Sequence, residues 1–467
     1  MSSLIDKYFS TVSRTETIKY TGYVKAVKGT LIESEGPRSV IGEICYIKVP
    51  SKKERVMAEV VGLKDSIVQL MAYGDTQGIE IGLEVIASGK ILEVPVGNDL
   101  LGRVLDGTGK PIDGKGEINP EKFYPVMAPA PDPIERKEND TRIQTGVRAI
   151  DSLLTIASGQ RMGIFAGSGV GKSTIVSMIA RNTSADINVI ALVGERGREV
   201  NDFLKRDLGE EGLARSVVVV ATGEQPAIAR VRASFVATAI AEYFRDQGKN
   251  VMLMFDNISR FAKAQTDIAL ATGEPPGISG YPASVIELLP KLLERSGNNG
   301  KGSITAFYAV LVDADNMNEP IADAVRGIVD GHIVLSRALA ASQHYPAIDI
   351  QQSISRLGRR VTGKVTNKAV SKIKRWIALY ASQEDMILAG VYQKGNSAEI
   401  DEAIDHHQSI EEFLCQEEYE KCSMKDTLDR LSSLTGIKIP EGEYSDRPQY
   451  AEEESENESD TLAESEN

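Results

Sequence analysis

The sequence predicts a multidomain α/β protein with an N-terminal β-barrel, a central, mainly parallel α/β domain, a C-terminal helical domain and a disordered acidic tail. Three features of its 467 residues predict this order. Short β-rich runs punctuated by glycine reach to about Val96. Aliphatic runs alternate with helix-like segments beyond Ile150, and strand signals fade after about Ser353. Positions 441–467 then contain eleven acidic residues.

The predicted segments begin with a short helix. Apolar side chains recur at helical spacing over residues 4–14, and so short a helix is expected to dock on the body of the protein or on a partner. The segments are 1–18, an N-terminal amphipathic helix; 19–96, the β-barrel; 97–350, the α/β domain; 351–440, the helical domain; and 441–467, the acidic tail.

Two kinds of β-rich sequence distinguish the first two large domains. Runs such as GYVKAV and EICYIKV are short, and glycine turns separate them at roughly 8–12-residue spacing, which is typical of a small closed barrel. Runs such as INVIALVG, SVVVVAT and NVMLMFD are continuously aliphatic and alternate with helices. That pattern indicates a parallel sheet that is covered on both faces.

Composition and charge exclude several classes of protein. The net charge is −14, but residues 441–467 contribute −10, so the rest of the chain carries only −4 and argues against nucleic acid as a partner. Cys45, Cys415 and Cys422 are too scattered for a disulfide framework or a zinc site, which indicates a reducing compartment. Neither a membrane span nor a secretory signal is expected. The tail is expected to be solubilising, and a role in partner binding or autoinhibition stays open.

A phosphate-binding loop follows the first aliphatic strand of the central domain. RMGIFA runs into GSGVGKST and then into a helical segment, the context that this motif requires. Backbone N–H groups of such a loop converge on phosphate oxygens, and the helix N-terminus adds positive charge. Lys172 is expected to reach the β- and γ-phosphates, and Ser173 to bind Mg²⁺. The predicted nucleotide-binding residues are Gly167, Ser168, Gly169, Val170, Gly171, Lys172, Ser173 and Thr174.

Two carboxylates follow neighbouring aliphatic runs. Because ligands bind beyond the carboxyl ends of parallel strands, both are expected near the loop. Asp256 ends NVMLMFD and is expected to hold Mg²⁺ through a water molecule. Glu195 follows INVIALVG and could polarise the water that attacks the γ-phosphate. The alternative for Glu195 is a charged helix start within a solvated network of side chains.

Over residues 20–440 the chain resembles the F-type/V-type rotary ATPase superfamily. The motifs that carry the resemblance are GSGVGKST, GERGRE, MFDNISRFAKAQ and PAIDIQQSIS. Within the superfamily, LLGRVLDGTGKPIDG and DGHIVLSRALA are most similar to flagellar and type III secretion export ATPases, those of the flagellum in particular. Asn257 departs from the more usual Ser, and the long acidic tail is not a feature of the family.

The resemblance implies site residues and a fold. The central domain would be RecA-like and bind ATP with Mg²⁺. Glu195 would be the catalytic carboxylate, and Arg196 would contact the γ-phosphate. Arg356 would be an arginine finger that reaches into the neighbouring subunit's site, and Tyr345 would stack on the adenine.

The resemblance also implies partners and a place of action. The chain would form a homohexamer through its barrel and assist protein export through the flagellar type III apparatus. A stator-like regulator would bind the N-terminal helix. Further partners would be a central-stalk-like protein, the export gate, export substrates and their chaperones. The ring would work in the cytoplasm, peripherally at the inner face of the cytoplasmic membrane.

Several alternatives remain at this point. An injectisome ATPase shares the same chemistry and differs only in sequence detail. A rotary ATP synthase catalytic subunit is disfavoured because residues 380–400 contain no acidic torque-loop segment. A non-catalytic ring subunit would lack the carboxylate of Glu195. An RNA translocase would need a basic, aromatic platform that this chain does not offer.

Overall fold

The computed structural model describes residues 20–312 and 316–447. The predicted N-terminal helix, residues 1–18, lies outside the described residues, and so does the acidic tail from residue 448 onward. Within the two described ranges, no helix is long and apolar enough to cross a membrane.

The first strands form a closed barrel in the order β1-β2-β5-β4-β3-β6, as the sequence predicts. Every neighbouring pair is antiparallel. Val24, Ile32, Ile47, Val60 and Leu70 fill the interior, because alternate side chains of a strand point to the same side. The strands are β1 (Thr21–Lys28), β2 (Leu31–Glu35), β3 (Glu43–Ile47), β4 (Val56–Lys64), β5 (Ile67–Ala72) and β6 (Glu84–Ile91).

Most of the later strands build a central sheet, and four of them form two separate two-stranded sheets. The later strands are β7 (Glu93–Val96), β8 (Arg103–Leu105), β9 (Lys122–Pro125), β10 (Arg142–Ile143), β11 (Ile156–Ala157), β12 (Arg161–Ala166), β13 (Ile187–Val193), β14 (Ser216–Ala221), β15 (Asn250–Asp256), β16 (Gly297–Asn298), β17 (Ser303–Leu311), β18 (Gly331–Leu335) and β19 (Ile348–Ser355). The main order is β19-β18-β12-β17-β15-β13-β14-β8. Neighbours in it are parallel except β18 and β19, so β12, β13 and β15 end at one edge and β19 ends at the other.

Helices cover both faces of this sheet. Leu253 and Phe255 of β15 join an apolar cluster with α5 to α8 on one face, while Met252 and Met254 join a second cluster with α2 on the other. Helices α10 to α12 form the predicted helical domain and pack against α1. The helices are α1 (Arg148–Leu153), α2 (Lys172–Asn182), α3 (Gly197–Asp202), α4 (Gly209–Ala214), α5 (Ala227–Asp246), α6 (Ile258–Ala271), α7 (Ala283–Leu293), α8 (Pro320–Ile328), α9 (Arg337–Ala341), α10 (Lys364–Leu388), α11 (Ala398–Leu414) and α12 (Met424–Thr435).

A buried ion pair joins the barrel to the central domain. Arg232 of α5 donates from Nε to Glu59 Oε2 of β4 at 2.9 Å, and Tyr73 also donates to the Glu59 carboxylate. The two ionic side chains are 14% and 2% exposed. A buried charge is costly without an oppositely charged partner, so this ion pair stabilises one position of the barrel against α5.

The beginning of the predicted tail is packed, which differs from the expected disorder of 441–467. Glu443 is buried and its carboxylate accepts hydrogen bonds at the first turn of α10. The backbone N–H of Arg142 donates to Asp446 O at 2.8 Å. Low apolar content led to the prediction of disorder, but one capping carboxylate orders residues 441–447 without a large apolar surface.

Candidate active site

The predicted phosphate-binding loop connects β12 to α2. Gly169 and Gly171 adopt φ values of +80° and +94°, which only glycine enters at low cost, and Gly171 is the N-cap of α2. The first N–H groups of α2 therefore have no side-chain cap and are available to an anion. The other predicted loop residues are Gly167, Ser168, Val170, Ser173 and Thr174, all within this connection or the first turn of α2.

Lys172, Asp256 and Glu195 meet beside the loop. The Lys172 ammonium is hydrogen-bonded to Asp256, and it lies 3.6 Å from Glu195 Oε1. Asp256 ends β15 and Glu195 follows β13, so the parallel sheet brings both carboxylates to one edge. Both residues are buried. Burial raises the pKa of Glu195, the charge of Asp256 raises it further, and Lys172 opposes the rise.

Two further side chains orient Glu195 and were not predicted from the sequence. Asn257 Nδ2 donates to Glu195 Oε1 at 3.0 Å, and Arg260 Nη2 lies 3.4 Å from Glu195 Oε2. Arg260 also donates to the carbonyl of Gly194. Both residues stand at the start of α6, directly after Asp256, within the MFDNISRFAKAQ run. Their position one helical turn beyond a site carboxylate was the available signal.

Arg196 does not face Lys172 in this structure. It is the N-cap residue of α3, its side chain is 80% exposed, and Nη1 lies 3.0 Å from Glu199 Oε1. The pKa of Glu199 is lowered, first by its interaction with the Glu195 side chain and also by the charge of Arg196. The ERGRE run therefore supplies one buried carboxylate, Glu195, and an exposed pair beside it.

A cavity of about 550 Å³ adjoins the loop on the side of α2. Tyr345 is 41% exposed and borders it, and the ring stands 3.9 Å from where a Cβ on Gly171 would lie. The opposite wall comes from the helical domain, through residues 415–420. The backbone N–H of Gln416 donates to Tyr345 O at 2.9 Å. The shape, aromatic border and position of this cavity suit a nucleotide base.

Buried hydrogen bonds attach this wall to α1. Arg148 Nη1 donates to Phe413 O at 3.0 Å and to Cys415 O at 2.9 Å. Gln416 Oε1 accepts from the Arg148 backbone at 2.7 Å, and Gln416 Nε2 donates to Gly146 O at 2.9 Å. The side-chain amide of Gln416 is thus hydrogen-bonded within the protein. The residue therefore stabilises the wall of the cavity and does not recognise a base.

Arg356 lies away from the loop of its own chain. It follows β19, which runs antiparallel to β18 and so ends at the opposite edge of the sheet. Its backbone N–H donates to Asp330 O at 3.0 Å, and Nη1 donates to Val329 O at 3.2 Å. Lys172, Glu195 and Asp256 are brought together, whereas Arg356 is not brought to them within one chain.

The donors near Lys172 fit a magnesium ion. Ser173 offers a hydroxyl next to Lys172, whose ammonium contacts the Asp256 carboxylate. Within residues 20–312 and 316–447, no group of three or more Asp, Glu, His or Cys side chains could hold a metal. Mg²⁺ bound with a nucleotide needs only one or two protein ligands, because phosphate and water oxygens complete its shell.

Three family models match successive parts of the chain. The beta-barrel domain of the ATP synthase alpha/beta family matches residues 24–89, and its nucleotide-binding domain matches residues 146–355. The C-terminal domain of the T3SS EscN ATPase matches residues 362–433.

Individual proteins match over almost the whole chain. A "Flagellum-specific ATP synthase" from Treponema pallidum is 55% identical over 94% of this chain and 98% of its own length. A "Type 3 secretion system ATPase" from Xanthomonas euvesicatoria is 47% identical, covering 89% and 94%. The solved structure of the assembled ATPase EscN in complex with its central stalk EscO, from enteropathogenic E. coli, aligns with a TM-score of 0.83 at 43% identity, covering 89% of this chain and 100% of that one.

Proposed function

The chain belongs to the flagellar and type III secretion ATPases of the ATP synthase alpha/beta family, and from this premise we propose how its residues bind and hydrolyse ATP. The free backbone N–H groups of the loop hold the phosphates, and Tyr345 stacks on the adenine in the adjoining cavity. The observation that carries the assignment is the buried contact of Lys172 with Asp256 and Glu195 beside that loop.

Lys172 changes partner when ATP binds. Its ammonium contacts the Asp256 carboxylate, and a γ-phosphate offers it a more highly charged partner. Its departure frees the Asp256 carboxylate, which with Ser173 would hold Mg²⁺. The ion supplies positive charge that offsets the negative charge developing on the phosphate oxygens.

Glu195 acts on the attacking water. Its carboxylate accepts a proton as the water oxygen bonds to the γ-phosphorus, and the bond from that phosphorus to the bridging oxygen breaks to give ADP and phosphate. Asn257 and Arg260 orient the carboxylate from the protein side. Arg196 is exposed one residue away and turns from Glu199 to the γ-phosphate when nucleotide is present.

Arg356 acts on a neighbouring subunit. Its location at the opposite edge of the sheet supports a role in trans, because it stands away from the loop of its own chain. Six copies would close a ring through their barrels, and the similarity to EscN, an ATPase whose assembled form has been solved, supports assembly of this chain. Each ATP would then lie between the loop of one chain and Arg356 of the next.

The 55% identity to a flagellum-specific relative supports protein export through the flagellar apparatus as the purpose of hydrolysis, rather than export by an injectisome. A central-stalk-like protein would bind the ring, as EscO binds EscN. The remaining proposed partners are a regulator at residues 1–18, the export gate, and export substrates with their chaperones. The ring would act in the cytoplasm at the inner face of the membrane.

Glu195→Gln and Lys172→Ala test the chemistry. Glu195→Gln should bind ATP normally but turn over at least ~10²-fold more slowly, because it keeps the shape and removes the base. Lys172→Ala should lose affinity for ATP, and the exposed Glu210→Gln should match the wild type in both assays. Equal loss of nucleotide affinity in the first two variants would contradict the role of Glu195.

Mixing two inactive variants tests the arrangement in trans. Arg356→Ala keeps a working loop, and Lys172→Ala keeps a working arginine, so mixed rings should recover part of the activity. A wild-type monomer with full specific activity on dilution would contradict the role of Arg356. Rescue of motility in a flagellated bacterium that lacks its own flagellar ATPase tests the export assignment.

A further inference from the structure

A cationic groove of about 720 Å³ lies between the end of β19 and helix α10. We define the cationic groove by the side chains of Arg356, Arg359 and Lys374, which line it together with neutral residues. Among the described residues that line it, none is Asp or Glu. Three positive charges therefore face one open space with no acidic side chain on its walls.

Two of these charges, those of Arg359 and Lys374, repel each other. Burial lowers the pKa of Lys374, and the charge of Arg359 lowers it further. Arg356 and Arg359 are exposed, and the Nη1 of Arg356 uses one hydrogen bond on the Val329 carbonyl. Like charges held this close favour an anionic occupant, which would reduce their mutual repulsion.

The described part of the chain ends at a cavity that borders the same turn as this groove. Arg447 Nε donates to Thr141 Oγ1 at 3.0 Å, and Arg447 Nη2 lies 3.2 Å from Asp140 Oδ2. Asp140 and Leu357 line a common cavity, and Leu357 lies between Arg356 and Arg359 in the sequence. The last described residue is thus anchored to a residue of a cavity that the turn carrying two of the three cations also lines.

The residues that follow have the complementary charge. Residues 448–467 contain eight acidic residues and no basic one, beginning with Glu452. Four residues lie between Arg447 and Glu452, and the five residue steps from one to the other span up to ~17 Å when extended. The acidic cluster therefore begins no more than ~17 Å from Arg447 and can extend toward the groove while residues 441–447 stay packed.

We propose that the acidic segment 448–467 binds the cationic groove of its own chain and so withholds Arg356 from the neighbouring subunit's ATP. The inference rests on the proposed role of Arg356 in trans. The tether supplies an effective concentration of order millimolar, so weak contacts suffice. Because exposed ion pairs are individually weak and screened by salt, the inhibition is reversible and depends on ionic strength.

Truncation after Arg447 tests the proposal while keeping the packed residues 441–447. At low ionic strength the truncated protein should hydrolyse ATP about threefold faster or more, and the difference should vanish at high salt, where the Debye length falls to a few ångströms. The matched control keeps the length of the tail and replaces its eight acids with Gln and Asn. It should behave like the truncated protein.

The double variant Arg359→Ser/Lys374→Ser tests the site while leaving Arg356 in place. In the full-length chain it should reproduce the acceleration, and truncation should then add nothing. A labelled peptide of residues 450–467 should bind the truncated protein, measured by fluorescence anisotropy, and should lose most of its affinity in the double variant. Three results would each overturn the proposal: unchanged activity on truncation of the wild type, a further acceleration when the double variant is truncated, or peptide binding that the double variant leaves unchanged.

The proposed function has its own readout in the same experiment. Glu195→Gln and Lys172→Ala in the truncated background should stay inactive whether or not the tail inhibits. Activity of those variants would refute the catalytic assignment, and loss of the tail effect alone would refute only the inhibition.

Discussion

Replacing Glu443 with alanine should loosen the first turn of α10, although the residue belongs to a segment whose composition predicts disorder. The N-cap residue Gly363 has no side chain that could cap this 25-residue helix. Glu443 caps it instead: Oε1 accepts from the N–H of Val365 at 2.9 Å, and Oε2 accepts from the N–H of Thr366 at 2.7 Å and from its hydroxyl at 2.6 Å.

The size of the effect follows from these three bonds. Loss of an N-cap costs about 0.5–2 kcal/mol, and a buried hydrogen bond to a charged group contributes about 1.5–3 kcal/mol. The contributions overlap because they share one carboxylate, so local opening of the first turn should become about 2–3 kcal/mol easier. That change corresponds to roughly 30- to 150-fold faster exchange of the amides held there.

Hydrogen exchange of peptides that cover residues 362–372 measures this opening. Glu441→Ala is the matched control, because Glu441 is exposed and lies two residues away. A chain that ends at residue 440 should exchange like Glu443→Ala, and a chain that ends at residue 447 should exchange like the wild type. Unchanged exchange in Glu443→Ala would refute the cap.

Three further predictions concern the site and its support. Arg260→Ala should lower turnover about tenfold or more with ATP affinity kept, because Glu195 loses an orienting contact; a change in ATP Kd instead would contradict this. Tyr345→Ala should raise KM for ATP by about tenfold, since stacking on a base contributes ~1–3 kcal/mol, while Tyr345→Phe should stay close to the wild type. Glu59→Ala should lower the free energy of unfolding at the barrel interface by about 3–5 kcal/mol, measured with denaturant, because Arg232 stays buried without its partner. A smaller loss would show that water reaches Arg232.

The parts of the site that depend on strand ends could be predicted from the sequence. Lys172, Glu195 and Asp256 each follow or end an aliphatic run, and a parallel sheet brings such ends to one edge regardless of loop detail. Asn257 and Arg260 were missed because their role depends on where the first turn of α6 points. Sequence spacing alone does not fix that direction.

The packing of residues 441–447 could not be predicted for a different reason. Composition reports how much apolar surface a segment can bury, and this segment has little. Glu443 stabilises it through three hydrogen bonds to the first turn of a helix that begins 79 residues earlier in the chain, at Lys364. A contact of that kind leaves no periodic signal in either partner.

The wall that faces Tyr345 has a mechanical consequence. Residues 415–420 belong to the helical domain, yet the N–H of Gln416 donates a hydrogen bond to the Tyr345 carbonyl. Arg148 also donates to the carbonyls of Phe413 and Cys415. With a base stacked on Tyr345, as proposed, a load applied to the far end of the helical domain would reach that base through these few peptide groups. Because coupling between two sites is reciprocal, a pull that lowered the affinity for nucleotide would in turn be resisted by bound nucleotide. Each subunit would thus sense tension on the ring as a change in its own affinity for ATP.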